Sequence, residues 1–261
     1  MNVLFIHQNF PGQFKFLAPA LVQRGHHVTA MSMRKHSTDV WQGVHLVNYA
    51  ASRGSTEGVH PWVADLETKV VRGEACFRAA LKMQAQGYVP DVIVAHPSWG
   101  ESMFLKQVWP QARVGIYAEF FYHAQGADVG FDPEFPVVDP GDACRIQLMN
   151  VNNRLHFEMA DAGISPTQWQ ASTFPESFRK KITVVHDGID TDQLKPNPLI
   201  ALQLAQGLKL TRQDEVITFI SRNLEPYRGY HMFMRALPEI LKHRPHAHVL
   251  IIGGDGTSYG L

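Results

Sequence analysis

Short runs rich in β-branched residues recur along the chain, and most are followed by a longer stretch of helical period. These runs are residues 2–7, 27–33, 44–49, 91–96, 113–118, 163–165, 182–186, 216–221 and 248–253. Parallel strands need a long crossover, usually a helix, so the alternation predicts βα units around a parallel sheet. Apolar residues recur at helical spacing within 14–24 and 233–241, which predicts helices whose apolar face packs on that sheet. The expected fold class is therefore α/β.

The composition agrees with a largely buried sheet. Hydrophobic residues make up 45 % of the chain and charged residues only 18 %, against roughly 25 % charged residues in an average domain. With 24 basic and 24 acidic residues the formal net charge is zero, so no overall field favours a nucleic-acid partner. No apolar run approaches the ~18 residues of a membrane span. We expect a cytoplasmic protein, with peripheral association at the inner face of the plasma membrane and the oligomeric state left open.

A proline-rich segment marks the expected domain boundary. Pro196 and Pro198 exclude a helix or a central strand there, and we place the boundary near Pro196. Residues 1–195 would form a complete doubly wound domain, and residues 196–261 a linker helix at 199–207 and one β-α-β unit. Two strands and one helix cannot bury both faces of their sheet, so we expect the chain to stop inside its second domain.

Two arginines flank the expected start of a helix in the second domain. Arg222 follows the strand at 216–221, and Arg228 precedes Gly229, where the helix would open. Free N–H groups at a helix start favour an anion, and guanidinium groups present paired donors that suit bridged phosphates. The pattern predicts a diphosphate-binding turn; two solvated surface arginines are the alternative.

The segment from Ser221 to Gly229, the helix after it and residues 248–256 resemble the start of the donor domain of glycosyltransferase family 4. The resemblance implies the GT-B architecture, with a complete N-terminal Rossmann-like domain and the first part of a second one. It also implies retaining transfer of a sugar from a nucleotide sugar to a glycan or lipid-linked acceptor. By resemblance, Arg222 and Arg228 would hold the diphosphate, with Gly229 and Gly254 beside the nucleotide sugar. Arg228 stands where the family usually has Lys.

A second match lies in the first domain. His96 ends the strand at 91–96 and begins the sequence His-Pro-Ser-Trp-Gly-Glu, and ligands of open α/β sheets lie beyond the carboxyl ends of strands. The resemblance makes His96 and the two arginines the catalytic candidates. It places His96 facing the transferred sugar. A strand-end histidine bonded to backbone is the alternative. Gly12, in the first strand-to-helix turn, would let the backbone approach a phosphate or sugar hydroxyl. A plain tight turn is an equal alternative, because Gln13 stands where many members have a second glycine.

The residues expected to meet the acceptor come from the same region. The motifs at 96–101, 117–122 and 126–134 resemble a bacterial subgroup of the family, which implies a role in polysaccharide or glycoconjugate synthesis. A long irregular loop at 119–141 would help to choose the acceptor, since such loops are usually functional. Glu101, Glu119 and Tyr122 are the candidates for this contact.

No cofactor is expected besides the nucleotide-sugar substrate. The first strand is not followed by G-x-G-x-x-G, which argues against NAD or FAD. Asp190-Thr191-Asp192 resembles the metal motif of the GT-A architecture, but it lies in the proline-rich boundary, so we expect no metal. The family's Glu-x7-Glu segment would come after Leu261, and we expect little activity from this chain. A non-catalytic half-cleft that binds a glycan or partner, and a nucleotide-sugar epimerase of the same architecture, remain alternatives.

Overall fold

The computed structural model describes residues 1–136 and 139–258, which form two compact units. Among these residues, the first unit contains 1–130, 134–136 and 139–187, and the second contains 131–133 and 188–258. The chain passes from one unit to the other between Asp187 and Gly188, so the boundary predicted near Pro196 falls within the second unit.

An eight-stranded sheet forms the centre of the first unit. Its strands are β1 (Asn2–Ile6), β2 (His27–Ser32), β3 (Val40–Trp41), β4 (Val44–Asn48), β5 (Val92–Ala95), β6 (Arg113–Tyr117), β7 (Ala162–Ser165) and β8 (Ile182–Val184). They lie in the order β3-β4-β2-β1-β5-β6-β7-β8, and only β3 is antiparallel to its neighbour. The predicted α/β fold with a parallel sheet is confirmed. The strand order reverses between β1 and β5, which is where doubly wound sheets bind ligands.

Helices cover the two faces of this sheet unequally. They are α1 (Leu17–Gln23), α2 (Pro61–Ala85), α3 (Asp142–Met159), α4 (Gln168–Ser172) and α5 (Glu176–Arg179). Leu4 and Ile6 of β1 belong to a large core cluster with residues of α2 and α3, whereas Val3 and Phe5 belong to a smaller cluster on the α1 side. This alternation explains why β1 reads as one continuous apolar run.

The start of α1 differs from the prediction. We expected a helix over 14–24, but α1 begins at Leu17, and residues Gly12–Phe14 form a 3₁₀ turn before it. Phe14 is buried against Phe5, with ring centroids 4.9 Å apart, so its apolar character reflects core packing of the turn.

The second unit contains a parallel β-α-β motif, as predicted. Strands β11 (Val216–Asn223) and β12 (His248–Gly254) are joined by α6 (Tyr230–His243), and the short strands β9 (Leu202–Gln203) and β10 (Lys209–Leu210) form an antiparallel pair. The prediction of a helix at 199–207 is wrong. Leucines alternate with other residues on both sides of Gly207, whose φ of +78° fits a hairpin connection rather than a helix.

The sheet formed by β11 and β12 packs against a helix on one face only. Phe219 of β11 contacts Phe233 and Tyr230 of α6, with ring centroids 5.0 and 5.4 Å away. On the opposite face Ile220 and Ile252 are 66 % and 53 % exposed. Since no side chain of α6 is fully buried, the second unit has a much thinner core than the first.

In the part of the chain that the structure describes, no helix has the length and apolarity to cross a bilayer.

Candidate functional site

Polar side chains follow neighbouring strands at the carboxyl edge of the large sheet. His7 comes after β1, His96 after β5 and Glu119 shortly after β6. Because β1 pairs with β5, and β5 with β6, the parallel register brings these residues together at the point where the strand order reverses.

The imidazole of His96 is fully buried and held on both faces. It stacks on Trp99 at 4.6 Å and on Tyr117 at 5.1 Å between ring centroids. Its Nδ1 accepts the backbone N–H of Ser98 at 3.4 Å, which places the ring proton of the neutral form on Nε2. Backbone bonding, the alternative considered for this histidine, is therefore present.

The other ring nitrogen of His96 faces Glu119. His96 Nε2 lies 3.2 Å from Glu119 Oε2, although the contact is not aligned as a hydrogen bond. About a third of the Glu119 side chain is exposed, 35 %, whereas His96 has no exposed surface. In this conformation a ligand at the sheet edge would meet Glu119, with His96 directly behind it.

Side chains of α3 hold the segment that follows His96. Asn152 Nδ2 donates to Pro97 O at 2.9 Å. His156 Nδ1 lies 2.8 Å from the carbonyl oxygen of Asn152, so Nε2 is left to accept from Ser102 Oγ, also at 2.8 Å. Burial lowers the pKa of His156 to about 4, which keeps it neutral in this role.

Glu101 is placed differently from the prediction. It is fully buried, neither carboxylate oxygen has a hydrogen-bond partner, and burial raises its pKa to about 7. The preceding Gly100, with φ of +90°, packs so closely on α2 that an added Cβ would lie 2.5 Å from Lys69 O. This packing turns Glu101 into the interior, so in this conformation it cannot contact an acceptor.

The other two acceptor candidates lie at the start of the predicted loop. Asn150 of α3 accepts from the N–H of Tyr122 at 3.0 Å and donates to its carbonyl oxygen at 2.8 Å, which fixes the backbone there. Both Glu119 and Tyr122 are partly exposed. The loop predicted at 119–141 includes residues 137 and 138, which lie outside the described residues.

Gly12 makes room for His7. An added Cβ at Gly12 would lie 2.2 Å from His7 Nε2, and Gly12 has a φ of +47°. His7 is 3 % exposed, its Nδ1 accepts the N–H of Asn9 at 3.0 Å, and its Nε2 lies 2.8 Å from Gln13 Oε1. The absent side chain at Gly12 is therefore explained by the histidine ring, while a contact of the Gly12 backbone with a phosphate or sugar hydroxyl stays a prediction.

His7 is a site residue that our sequence reasoning missed. Its ring lies 5.3 Å from that of His96 and 5.0 Å from that of Trp99. Burial, with a further contribution from His96, lowers the pKa of His7 to about 4. The sequence feature that could have identified His7 is its position, because His7 ends its predicted strand just as His96 ends another.

A mostly apolar groove of about 470 Å³ opens beside these residues on the α1 side of the sheet. Phe14, Leu17 and Ile164 are among its apolar lining, and Gln13 and Asp187 are polar lining residues. Tyr117 also lines it, and its hydroxyl lies 2.9 Å from each carboxylate oxygen of Asp187.

The arginines predicted to bind diphosphate lie in the second unit. Arg222 is an exposed residue near the end of β11, and Arg228 ends the exposed 3₁₀ turn Pro226–Arg228 before α6. Gly229 has a φ of +76° and caps α6. The connecting Glu225, which we had not predicted, is 5 % exposed, accepts the N–H of Ser258 at 2.9 Å and lies 3.6 Å from Arg228 Nε.

Gly254 packs against this same turn. Its carbonyl oxygen accepts the N–H of Leu224 at 2.8 Å, and an added Cβ would lie 2.7 Å from Asn223 Oδ1. The close approach fixes the chain beside Arg222, while a contact of Gly254 with a nucleotide sugar stays a prediction.

Within residues 1–136 and 139–258, no group of three or more His, Cys, Asp or Glu side chains could hold a metal ion.

Comparison with solved structures shows the fold. The catalytic domain of starch synthase IV from Arabidopsis thaliana, bound to ADP and acarbose, matches with a TM-score of 0.60 at 15 % identity, over 98 % of this chain and 69 % of that one. The calicheamicin glycosyltransferase CalG4 matches with a TM-score of 0.50 at 17 % identity, over 98 % and 66 %. A putative UDP-N-acetylglucosamine 2-epimerase from Listeria monocytogenes matches with a TM-score of 0.50 at 15 % identity, over 96 % and 62 %.

The chain thus spans about two thirds of the length of these structures, and at such identities the likeness concerns the GT-B fold. A search of curated proteins finds no significant match. The sequence model of the glycosyl transferase family 4 group matches residues 24–194, which is more than half of the chain and includes His96, Glu119 and most of the large sheet. The chain belongs to the glycosyl transferase family 4 group.

Proposed function

We propose that this chain serves the transfer of a sugar from a nucleotide-sugar substrate to a hydroxyl group of a glycan or lipid-linked acceptor. The observation that supports this best is the pairing of His96 with Glu119, 3.2 Å apart, at the reversal of strand order in a family 4 fold. The starch synthase structure with the same fold contains ADP, a nucleoside diphosphate of the kind such a transfer releases.

The leaving diphosphate needs positive charge. As the bond from the anomeric carbon to the diphosphate oxygen breaks, its electron pair stays on the diphosphate, and fixed cations stabilise the charge that develops there. Arg222 and Arg228 are the candidates for this role, because both are exposed on either side of the turn that Glu225 fixes from inside. The start of α6 at Gly229, where no side chain caps the helix, adds backbone N–H donors. No metal ion is required in this scheme.

The anomeric carbon needs negative charge nearby. It becomes oxocarbenium-like as the bond breaks, and a carboxylate beside it is stabilising. We assign this contact to Glu119, whose side chain is partly exposed, and assign to His96 the positioning of that carboxylate. For retention the acceptor oxygen attacks from the face that the diphosphate leaves, and its proton passes to the departing diphosphate oxygen.

The proposal also includes a contact with the acceptor and a role in a biosynthetic pathway. Tyr122 lies beside Glu119 in the chain and is partly exposed, so it is placed to contact an acceptor. We propose a role in bacterial polysaccharide or glycoconjugate synthesis, in a cytoplasmic enzyme that can visit the membrane surface where lipid-linked acceptors lie.

Product analysis tests the function. The purified chain would be incubated with UDP- and ADP-sugars, with and without glycan and lipid-linked acceptors, and the products followed by mass spectrometry and by NMR of the anomeric proton. We expect a low yield of glycosylated acceptor, with the anomeric configuration of the sugar substrate. An epimerised nucleotide sugar formed without acceptor would instead show the epimerase alternative, and binding without any turnover would show the non-catalytic one.

A further inference from the structure

We propose that Gln13 recognises the substrate by donating hydrogen bonds from its side-chain amide to a substrate oxygen, and that His7 is the positioning residue that orients this amide. The inference deepens the proposed function and rests on it, because the substrate is taken to be a nucleotide sugar at the carboxyl edge of the large sheet.

The first step is the protonation of His7. A backbone N–H can only donate, so the 3.0 Å contact from Asn9 N requires a lone pair on His7 Nδ1. The neutral ring then carries its proton on Nε2. Burial and the nearby His96, which lower the pKa of His7 to about 4, agree with a neutral ring at physiological pH.

The second step fixes the amide of Gln13. The His7 Nε2–H lies 2.8 Å from Gln13 and needs an acceptor, and the only acceptor of a glutamine side chain is its carbonyl oxygen. Gln13 Oε1 therefore faces His7. The amide nitrogen of Gln13, Nε2, carries two N–H donors and occupies the other position of the amide group. Gln13 is partly exposed and lines the groove that also contains Tyr117 and Asp187.

The surroundings show that this arrangement is built into the core. The His7 ring has edge contacts with Phe14 at 5.8 Å and Trp99 at 5.0 Å between centroids, and Gly12 leaves the space that the ring occupies. A partly exposed glutamine would otherwise lose rotamer freedom on binding a ligand. Holding its oxygen on a buried histidine reduces that loss and fixes which groups face the ligand.

The ligand chemistry follows from the groups presented. Two neutral N–H donors select an oxygen that accepts hydrogen bonds, which in a nucleotide sugar is a sugar hydroxyl or a phosphate oxygen. His96 is the immediate neighbour of His7, at 5.3 Å between ring centroids, so we place this oxygen next to the reacting sugar.

The experiment is a titration of the ¹⁵N-labelled chain, followed by the side-chain amide signal of Gln13 and the ring nitrogen signals of His7. The probes are UDP-N-acetylglucosamine, ADP-glucose, UDP, ADP and inorganic phosphate. We expect the Nε2–H form of His7 before any ligand is added, and a shift of the Gln13 signal with nucleotide sugars. A shift with nucleotide sugars alone identifies a sugar hydroxyl, and a shift with UDP, ADP or phosphate as well identifies a phosphate oxygen.

Variants measure the contribution to affinity. Gln13→Glu keeps an oxygen toward His7 but removes both N–H donors, so nucleotide-sugar affinity should fall roughly threefold to tenfold, about one neutral hydrogen bond. Gln107→Glu makes the same change in charge on an exposed turn of the first unit and should leave affinity unchanged. His7→Phe should lower affinity similarly and leave Gln13→Glu with little additional effect.

The outcomes separate the two proposals. Nucleotide-sugar binding without a shift of the Gln13 signal, or with full affinity in Gln13→Glu, would overturn this inference and leave the proposed function standing. A His7 proton on Nδ1 would overturn it even if His7→Phe failed to fold. If no nucleotide sugar bound at all, the proposed function would fail and this inference with it.

Discussion

The two units hold their candidate residues in opposite ways. In the first unit His7 and His96 are 3 % and 0 % exposed, and each ring is fixed by hydrogen bonds and neighbouring aromatic rings. In the second unit Arg222 and Arg228 lie exposed on a short turn, before a helix that has no fully buried side chain.

This difference follows from how much sheet each unit contains. Eight strands with α2 and α3 on one face bury several polar side chains, including His7 and His156, whereas two strands with one helix have a thinner core. Substitutions at the first site should therefore change stability as well as chemistry. Substitutions at the second should change binding of the diphosphate and leave the free energy of unfolding nearly unchanged.

The largest expected effect is on catalysis in the first unit. His96→Asn removes the ring that stacks on Trp99 and Tyr117 and supports Glu119, so the transfer rate should fall roughly 10²- to 10³-fold, as for loss of a preorganised polar group. His45→Asn, at an exposed position of β4, is the matched control and should keep the rate. Initial rates of transfer give the comparison, and equal rates for the two variants would remove His96 from the site.

The buried Glu101 gives a prediction about pH. Its folded-state pKa of about 7 lies above the ordinary 4.5, so the folded state binds more protons between these values and the wild type loses stability as pH rises through this window. Glu101→Gln does not titrate. Its free energy of unfolding relative to the wild type should rise between pH 4.5 and 7 by about 3 kcal/mol. Urea unfolding across this range measures the difference, and a constant difference would show that Glu101 is not buried as described.

Gly12 tests the packing of His7. Gly12→Ala places a Cβ 2.2 Å from the His7 ring and should lower the free energy of unfolding by about 2 kcal/mol, as overpacking does. Gly25→Ala shares the positive φ but meets no atom within 4 Å, so it isolates the backbone cost. Thermal or urea unfolding of both variants measures the excess. If both alanine variants lose the same stability, His7 does not occupy the space beside Gly12.

The smallest effect is expected in the second unit. Arg222→Glu should weaken nucleotide-sugar binding about tenfold, because exposed charges are partly screened. Its free energy of unfolding should change by no more than about 0.5 kcal/mol, as at other surface positions. Arg212→Glu carries the same charge change at an exposed position before β11 and should bind normally. A large loss of stability in Arg222→Glu would contradict the contrast between the units.

Much of the fold could be predicted because buried parallel strands can be recognised from short segments of the sequence. Each predicted strand is present, since a strand such as β1 is apolar on both faces and stands out from its flanks. The strand-end position of His96 follows from the same pattern. The short edge strand β3 and the β9–β10 pair were missed because two-residue strands carry too little periodicity.

The remainder of the site depends on contacts between distant segments. Nothing in the sequence near Glu101 shows that Gly100 packs on Lys69 and turns the carboxylate inward. The space at Gly12 is explained by the ring of His7, and the buried Glu225 accepts from the N–H of Ser258, 33 residues later in the chain. Residue type and strand position therefore predict the strand ends at which the candidate residues lie, but not which of these residues are exposed.

The central claim is that this chain holds the diphosphate of a sugar donor. Titration calorimetry of the purified chain with ADP and UDP, against AMP and UMP, tests it most directly. The account predicts that each diphosphate binds about tenfold more tightly than its monophosphate, because two guanidinium groups meet a second phosphate. Equal affinity for the diphosphate and monophosphate of the same nucleoside would contradict it.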